Sequence, residues 1–167
     1  MGIEIERKFL VADPTCIEGV RGIESRQGYL AFGPPVSVRV RIMGGKAKLN
    51  IKQSTLSIRR AEYEYEIPLR DGESLLAQSC TGSIVEKTRH YLQIGNFTWE
   101  LDCFSGKNTG LIIAEIELDD EHQAFPLPSW IGREVSGDPR YLNSSLAQHP
   151  YCDWEEPGAG VFADLGD

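Results

Sequence analysis

Apolar and polar residues alternate along most of this chain with a period of two. That is the period of an extended strand, whose successive side chains point to opposite faces. The stretches MGGK (43–46) and IGN (94–96) join neighbouring runs as tight hairpins, which pair strands antiparallel. About eight such strands favour a barrel or a sandwich. The pattern predicts strands at 3–11, 27–31, 36–43, 46–53, 61–69, 84–93, 96–104 and 111–118.

Helical signals are few and short. The sequence predicts helices at 71–80, 119–125 and 137–149, of which the last starts at Asp138 and ends before Pro150. We expect one domain over residues 1–152. Residues 153–167 hold five acidic and no basic residues, which predicts an acidic, disordered tail.

The polar side of the predicted strands is almost purely charged, and its sign changes from strand to strand. The basic positions are Lys8, Arg39, Arg41, Lys46, Lys48, Lys52, Lys87 and Arg89. The acidic positions are Glu4, Glu6, Glu62, Glu64, Glu66, Glu100, Asp102, Glu115 and Glu117. Like charges two residues apart gain little on an open surface. Two interpretations stay open: the solvated face of an ordinary antiparallel sheet, or the interior of a closed barrel whose apolar face lies outward under covering helices.

Composition narrows the function classes. The net charge of −8 argues against broad binding to nucleic acid or to anionic membranes, but it leaves room for a local cationic site for a small polyanion. No apolar run approaches the ~18 residues of a membrane span, and no signal peptide is visible. The four cysteines form no CxxC pair, so we expect reduced thiols in a cytoplasmic protein.

The charged motifs, taken together, resemble those of the CYTH domains, also called triphosphate tunnel metalloenzymes. EIERK (4–8) matches the N-terminal ExExK signature of that family. The stretches RQGYL and ERKFL are especially similar to the short stand-alone bacterial members, which are tripolyphosphatase-like. The other motifs follow in the family's order over about residues 2–150: VRVR, NIK, EYEYEI, VEKTR, ELD, AEIE and WIGREVSGDPRYLNSSLA.

The resemblance implies an all-β dominated α+β fold: an eight-stranded antiparallel closed β-barrel with a few short covering helices. Its lumen would be a tunnel for a triphosphate and for one or two Mg²⁺ or Mn²⁺ ions, which prefer oxygen ligands. The implied phosphate-binding residues are Lys8, Arg39, Arg41, Lys52, Lys87 and Arg89, of which Lys8, Lys87 and Arg89 are also implied to be catalytic. The implied metal ligands are Glu4, Glu6, Glu115 and Glu117.

Several further positions keep alternative roles. Glu64 and Asp102 either bind a second metal, orient a lysine, or form a structural ion pair across the lumen. Tyr29 either lies at the tunnel mouth near the terminal phosphate or packs in the core or rim. Four charged residues are expected in solvent at the mouths: Lys46, Lys48, Glu66 and Glu100.

The chemistry that the resemblance implies is metal-dependent hydrolysis of inorganic triphosphate, with nucleoside triphosphates as weaker substrates. No Ser-His or Cys-His pair is visible, so we expect direct hydrolysis without a covalent intermediate. Two alternatives remain: a class IV-type adenylyl cyclase that makes cyclic AMP, and a non-catalytic module that binds polyphosphate or nucleotide. A homodimer is compatible with the family, whereas partners of nucleic acid or membrane are not expected.

Overall fold

The computed structural model describes residues 2–155, and most of them belong to one antiparallel sheet. The predicted strands are present, and their hairpins turn where the glycines indicated. The strands are β1 (Gly2–Val11), β2 (Gly22–Ala31), β3 (Val36–Met43), β4 (Lys46–Gln53), β5 (Arg59–Ile67), β6 (Thr81–Ile94), β7 (Phe97–Ser105), β8 (Ile112–Glu117) and β9 (Ile131–Glu134).

Strand β1 closes the sheet into a barrel. Its residues 6–10 pair with β8, and its residues 2–5 pair with β5. The eight strands therefore follow the circular order β1, β5, β4, β3, β2, β6, β7, β8. The predicted eight-stranded antiparallel closed barrel is confirmed. In this circle of eight, β1 and β2 are four strands apart, and so are β8 and β3. Strand β1 therefore lies on the wall opposite β2, and β8 lies on the wall opposite β3.

The ninth strand, β9, which the sequence did not predict, pairs with β1 on the same edge as β5, beyond the residues that pair with β5. The backbone N–H of Val135 donates to the carbonyl of Lys8 at 2.8 Å. On the outside, the Arg7 guanidinium donates two hydrogen bonds of 2.7 Å to Glu134. Because β8 pairs with the other edge of β1, the segment of β1 that contains Glu6 and Lys8 is fixed on both sides.

The helices differ from the prediction in bounds and in number. They are α1 (Leu69–Gln78) and α2 (Asn143–Gln148), with short 3-10 segments at Pro14–Ile17, Gly106–Asn108, Pro139–Tyr141 and Tyr151–Asp153. Helix α1 starts directly after Pro68, two residues before the predicted start, so Asp71 lies in its first turn. The helix predicted at 137–149 is interrupted because Leu142 is extended, with φ −67° and ψ 138°.

The helix predicted at 119–125 is wrong. This segment forms turns, in which the amide oxygen of Gln123 accepts a hydrogen bond from the backbone N–H of Asp119 at 2.6 Å. Pro126 and Pro128 follow closely and leave no length for a stable helix. The segment instead brings Phe125 edge-on to Trp99 on the outer face of the barrel, at a centroid distance of 5.8 Å.

The apolar residues cover two outer faces and also fill one end of the interior. Outside, one cluster surrounds Trp99, and another packs α1 against β3 through Leu76 and Val40. Inside, the charged rows of the strands end in Leu10, Val85, Phe104 and Ile113, which pack against α2 and the C-terminal 3-10 segment. We call this inner cluster the plug. The expectation of a purely charged interior therefore holds for only part of the barrel.

The plug extends beyond the predicted domain boundary at residue 152. Asp153 ends a 3-10 helix, and Trp154 packs edge-on against Tyr141 and Tyr151 at 5.2 and 5.0 Å. The structured domain thus reaches at least Trp154, because this ring fills the end of the plug. Residues 156–167 of the predicted tail lie outside the described part. No helix within residues 2–155 is long and apolar enough to span a membrane.

We expect Leu146→Ala to lower the free energy of unfolding by about 2–5 kcal/mol, because the Leu146 side chain is fully buried in the plug and its truncation leaves a cavity. Urea unfolding measures the change. Gln148→Ala, at an exposed position of the same helix, is the matched control. A loss below about 0.5 kcal/mol for Leu146→Ala would show that the plug does not hold the barrel end.

Candidate active site

Most of the charged side chains at the alternating polar positions of the strands point into the barrel. Lys87 and Asp102 are 3% and 0% exposed. Tyr65, at one of the alternate positions of β5 that face away from the lumen, is 56% exposed. The interior interpretation of the charge pattern is therefore correct. The charged part of the lumen is a cavity of about 510 Å³, which we call the main cavity. The predicted residues that line it are Glu4, Glu6, Lys8, Arg39, Arg41, Lys52, Glu64, Lys87, Arg89, Glu115 and Glu117.

A chain of ion pairs is buried between β6, β7, β8 and β1. Asp102 accepts hydrogen bonds from Lys87 Nζ at 2.6 Å and from Arg89 Nε and Nη2 at 2.7 and 2.8 Å. Glu115 accepts a hydrogen bond from Lys8 at 2.8 Å and lies 3.7 Å from Arg89. The strand register causes these contacts, because Arg89 is directly opposite Asp102 and Lys8 is directly opposite Glu115.

The network keeps its two carboxylates ionised despite burial. Burial raises the pKa of Glu115, but Lys8 and Arg89 outweigh it and hold that pKa well below its ordinary value. The pKa of Asp102 is likewise lowered, because Lys87 and Arg89 overcome the effect of burial. Both Asp102 oxygens are occupied by these cations, which supports the structural ion pair that the sequence left open as an alternative to metal binding.

Lys87 loses its proton more readily than an exposed lysine. Burial lowers its pKa to about 8; Asp102 only partly offsets the effect, and Arg89 adds to it. A fraction of the Lys87 side chains is therefore neutral near physiological pH. Lys87 thus combines a hydrogen bond to a buried carboxylate with a pKa close to the working range of a proton carrier.

The carboxylates of β1 and β8 form the acidic wall of the main cavity. Glu6 lies directly opposite Glu117 in the strand register. Glu4 is 2.6 Å from Lys52, and Glu6 is 3.2 Å from Lys8. Within residues 2–155, Glu117 has no ion pair, and its pKa is raised by burial and by the charges of Glu4 and Glu6. Excess negative charge thus collects at this wall.

The acidic wall fits a hard divalent cation by its chemistry. The potential ligand atoms on this wall are carboxylate oxygens. Lys8, Lys52 and Arg60 supply the positive charge beside Glu4 and Glu6 that a bound cation would otherwise supply. In the side-chain positions described for residues 2–155, no three His, Cys, Asp or Glu residues converge closely enough to hold an ion. Metal binding therefore requires these carboxylates to exchange their lysine and arginine partners for the ion.

The opposite wall is cationic. Arg41 lies 3.5 Å from Glu64, but Arg39 has no carboxylate partner within the described part of the chain, and its buried Nε has no hydrogen-bond partner there. Behind Arg39 a small recess of about 30 Å³ is lined by four cationic side chains and by no carboxylate. These cations are Lys8, Arg39, Lys52 and Arg60. The lining of the recess is thus cationic, although Lys8, Lys52 and Arg60 also contact carboxylates of the main cavity.

Tyr29 takes the core position that the sequence left open as an alternative, and two charges expected in solvent at the mouths, Glu100 and Lys48, have ion-pair partners. Tyr29 is not at an open mouth but is buried in the plug, stacked on Phe32 at 5.1 Å, because its strand ends in the apolar part of the interior. Glu100 is not a solvated mouth residue: it lines the main cavity and lies 2.7 Å from Arg89. Lys48 is paired with Glu64 at 2.5 Å, whereas Lys46 and Glu66 are exposed as expected.

Sequence reasoning missed two site residues. Arg60 points inward between Glu4 and Glu6, at 3.6 and 3.8 Å. It continues the alternation of Glu62 and Glu64, so a strand start two residues earlier would have revealed it. Asn143 of α2 enters the main cavity from the plug, and no signal of strand periodicity could have shown this.

We expect Asp102→Asn to lower the free energy of unfolding by about 3–5 kcal/mol, because it leaves Lys87 buried without its carboxylate partner and removes the ionised acceptor of two Arg89 hydrogen bonds. Urea unfolding at pH 7 measures the change. Glu66→Gln, which breaks the exposed pair with Lys46, is the matched control and should leave the stability unchanged within error. Equal effects of the two variants would contradict the buried network.

We expect Glu100→Gln to stabilise the protein above pH 7 but not near pH 4.5. Burial and the nearby Glu115 and Asp102 raise the pKa of Glu100 from 4.5 to about 7, although Arg89 opposes them. The folded state thus binds more protons than the unfolded state between these values, and the wild type loses stability as the pH rises through them. The shift corresponds to ~3 kcal/mol, which screening at a side chain 33% exposed reduces to roughly 1–2 kcal/mol.

Urea unfolding of both proteins from pH 4.5 to 8.5, with a chelator present, checks this dependence. A stability difference that does not change with pH, or that favours the wild type at pH 8, would show that Glu100 ionises without penalty in the folded state.

The chain matches the family model of the CYTH domain over residues 2–151. An inorganic triphosphatase of Acetivibrio thermocellus is 48% identical over 156 residues, which cover 93% of this chain and 100% of that protein. An inorganic triphosphatase of Nitrosomonas europaea is 38% identical over 149 residues, with coverage of 86% and 96%. The crystal structure of the inorganic triphosphatase NE1496 superposes with a TM-score of 0.61 at 36% identity, covering 86% of this chain and 93% of that one. The order of the charged strands, the closed barrel and these similarities establish that the chain belongs to the CYTH domain family.

Proposed function

We propose that this protein hydrolyses inorganic triphosphate with the help of a divalent metal. The observation that carries the proposal is the main cavity, in which an acidic wall on β1 and β8 faces Arg39 and Arg41 on the opposite side. A linear polyanion placed between them contacts cations on one side and metal-binding carboxylates on the other. The names of the two curated relatives support the same substrate.

The cationic side chains would bind the phosphate oxygens. Arg39 is the strongest candidate, because no carboxylate within residues 2–155 competes for its guanidinium, which can bind a phosphate bidentately. Arg41 and Lys52 reach the same cavity from neighbouring strands. Lys8 and Arg89, fixed by their buried partners, would offset the charge that develops on the phosphoryl group.

The residues that would hold the metal are Glu4, Glu6, Glu115 and Glu117, with Glu64 as a candidate for a second ion. When bound, a divalent ion neutralises phosphate charge and lowers the pKa of a bound water. Mg²⁺ and Mn²⁺ both suit carboxylate oxygens. Release of Lys52 from Glu4 would at the same time free this lysine for the phosphates.

Attack by water fits the lining of the main cavity. Among the described residues that line it there is no Ser, Cys or His side chain, and His90 lies near the carbonyl of Val20 at 3.0 Å. We therefore propose direct hydrolysis. Lys87, whose pKa burial lowers to about 8, is the candidate to carry a proton at Nζ between water and phosphate.

The same lining favours inorganic triphosphate over a nucleotide. No aromatic side chain among the described residues lines the main cavity, so a nucleobase finds no stacking surface there.

The cytoplasmic location and the possible homodimer remain predictions. The four cysteines are free thiols, which supports a reducing compartment.

We expect Glu117→Gln to lower triphosphate hydrolysis at least about 100-fold while the fold is retained, because it removes the carboxylate without an ion pair from the acidic wall. Phosphate release from inorganic triphosphate, ATP and pyrophosphate, each with Mg²⁺, Mn²⁺ or chelator, measures it. Glu66→Gln is the control. Near-normal turnover in Glu117→Gln would remove Glu117 from the ligand set.

The wild type on the same panel tests the function itself. We expect fast, metal-dependent release of phosphate from triphosphate. Cyclic AMP as the main product from ATP would identify a cyclase, and binding without any turnover would identify a binding module; either result would contradict the proposal.

A further inference from the structure

Asn143 occupies a special place in the main cavity. It is the first residue of α2, and it is the one uncharged polar side chain among the described residues that line this cavity. It also lines the recess behind Arg39. Asn143 therefore lies where the acidic wall, the cationic recess and the plug meet.

The orientation of the Asn143 amide follows from its partner. Lys87 Nζ donates to Asn143 Oδ1 at 3.5 Å. The ammonium form of Lys87 has no acceptor, so the amide oxygen faces it and the NH₂ group points elsewhere. Within residues 2–155, Nδ2 donates to no protein acceptor. Two N–H donors are thus available at the end of the main cavity.

The helix that carries Asn143 is held firmly. Leu146 and Ala147, in the next turn, are 0% and 1% exposed and belong to the plug. Lys87, which fixes the amide, is itself held by Asp102 at 2.6 Å. The amide donors are therefore preorganised by packing on one side and by the buried ion pairs on the other, which reduces the entropic cost of using them.

We propose that Asn143 contacts the substrate: its Nδ2 donates a hydrogen bond to a non-bridging oxygen of the phosphoryl group nearest Lys87. This inference rests on the proposed function, because the ligand is the same triphosphate. An amide gives the site a directional donor that adds no net charge. It also links the plug, through α2, to the position of the phosphoryl group, so that Asn143 acts as both a contact for substrate and a positioning residue for Lys87.

The test is the pair Asn143→Ala and Asn143→Asp. We expect Asn143→Ala to lower kcat/KM for triphosphate about 10- to 100-fold, the effect of losing a hydrogen bond to a charged group. Asn143→Asp keeps an oxygen acceptor for Lys87 but has no N–H donor and adds a negative charge. We therefore expect it to be less active than Asn143→Ala. Ser145→Ala, in the same helix but in neither cavity lining, is the matched control.

Titration calorimetry with a non-hydrolysable triphosphate analogue and Mg²⁺, together with thermal unfolding of each variant, separates the outcomes. Weaker binding in both Asn143 variants with unchanged unfolding temperature supports the contact. Wild-type kcat/KM in Asn143→Ala, or full activity in Asn143→Asp, would overturn it. A wild type that binds triphosphate but does not hydrolyse it would contradict the proposed function, whereas the calorimetric comparison would still decide the contact.

Discussion

The rest of the structure depends on the ion pairs that Asp102 makes with Lys87 and Arg89. These three groups lie inside the barrel, where an unpaired charge would be strongly destabilising. The strand register that brings Arg89 opposite Asp102 also brings Lys8 opposite Glu115. Other charges of the lumen are paired likewise, such as Lys52 with Glu4 and Arg41 with Glu64. The barrel thus encloses a charged lumen because almost every charge in it has a partner.

The same pairing explains how a nearly neutral interior can bind a polyanion. Cations already held by carboxylates, such as Lys8, are fixed in place, whereas Arg39 lacks such a partner in the described chain. On the opposite wall, Glu117 carries the complementary surplus of negative charge. A triphosphate and a divalent ion would supply the counter-charges for these two groups, so binding both together costs less electrostatic free energy than binding either alone.

Strand periodicity predicted which charges share a face, because it is local: charges at alternate positions must lie on the same side of a strand. It left open whether that side lies inside a barrel, and the closed barrel was implied by the family resemblance. The sequence did not predict where the lumen ends. Leu10 and Val85 continue the charged rows of Lys8 and Lys87, but as apolar residues they form the plug. Asn143 reaches the site only through the tertiary packing of α2, and Glu100 was assigned to solvent because nothing local shows how deep a strand position lies.

The most direct test of this account is a crystal structure of the protein with a non-hydrolysable triphosphate analogue and Mn²⁺, in which anomalous scattering locates the ion. We predict the triphosphate inside the barrel with its oxygens on Arg39 and Arg41, and the Mn²⁺ signal at the carboxylates of β1 and β8. An analogue bound on the outer surface, or Mn²⁺ far from Glu6 and Glu117, would contradict the inward-facing charge network as the functional site.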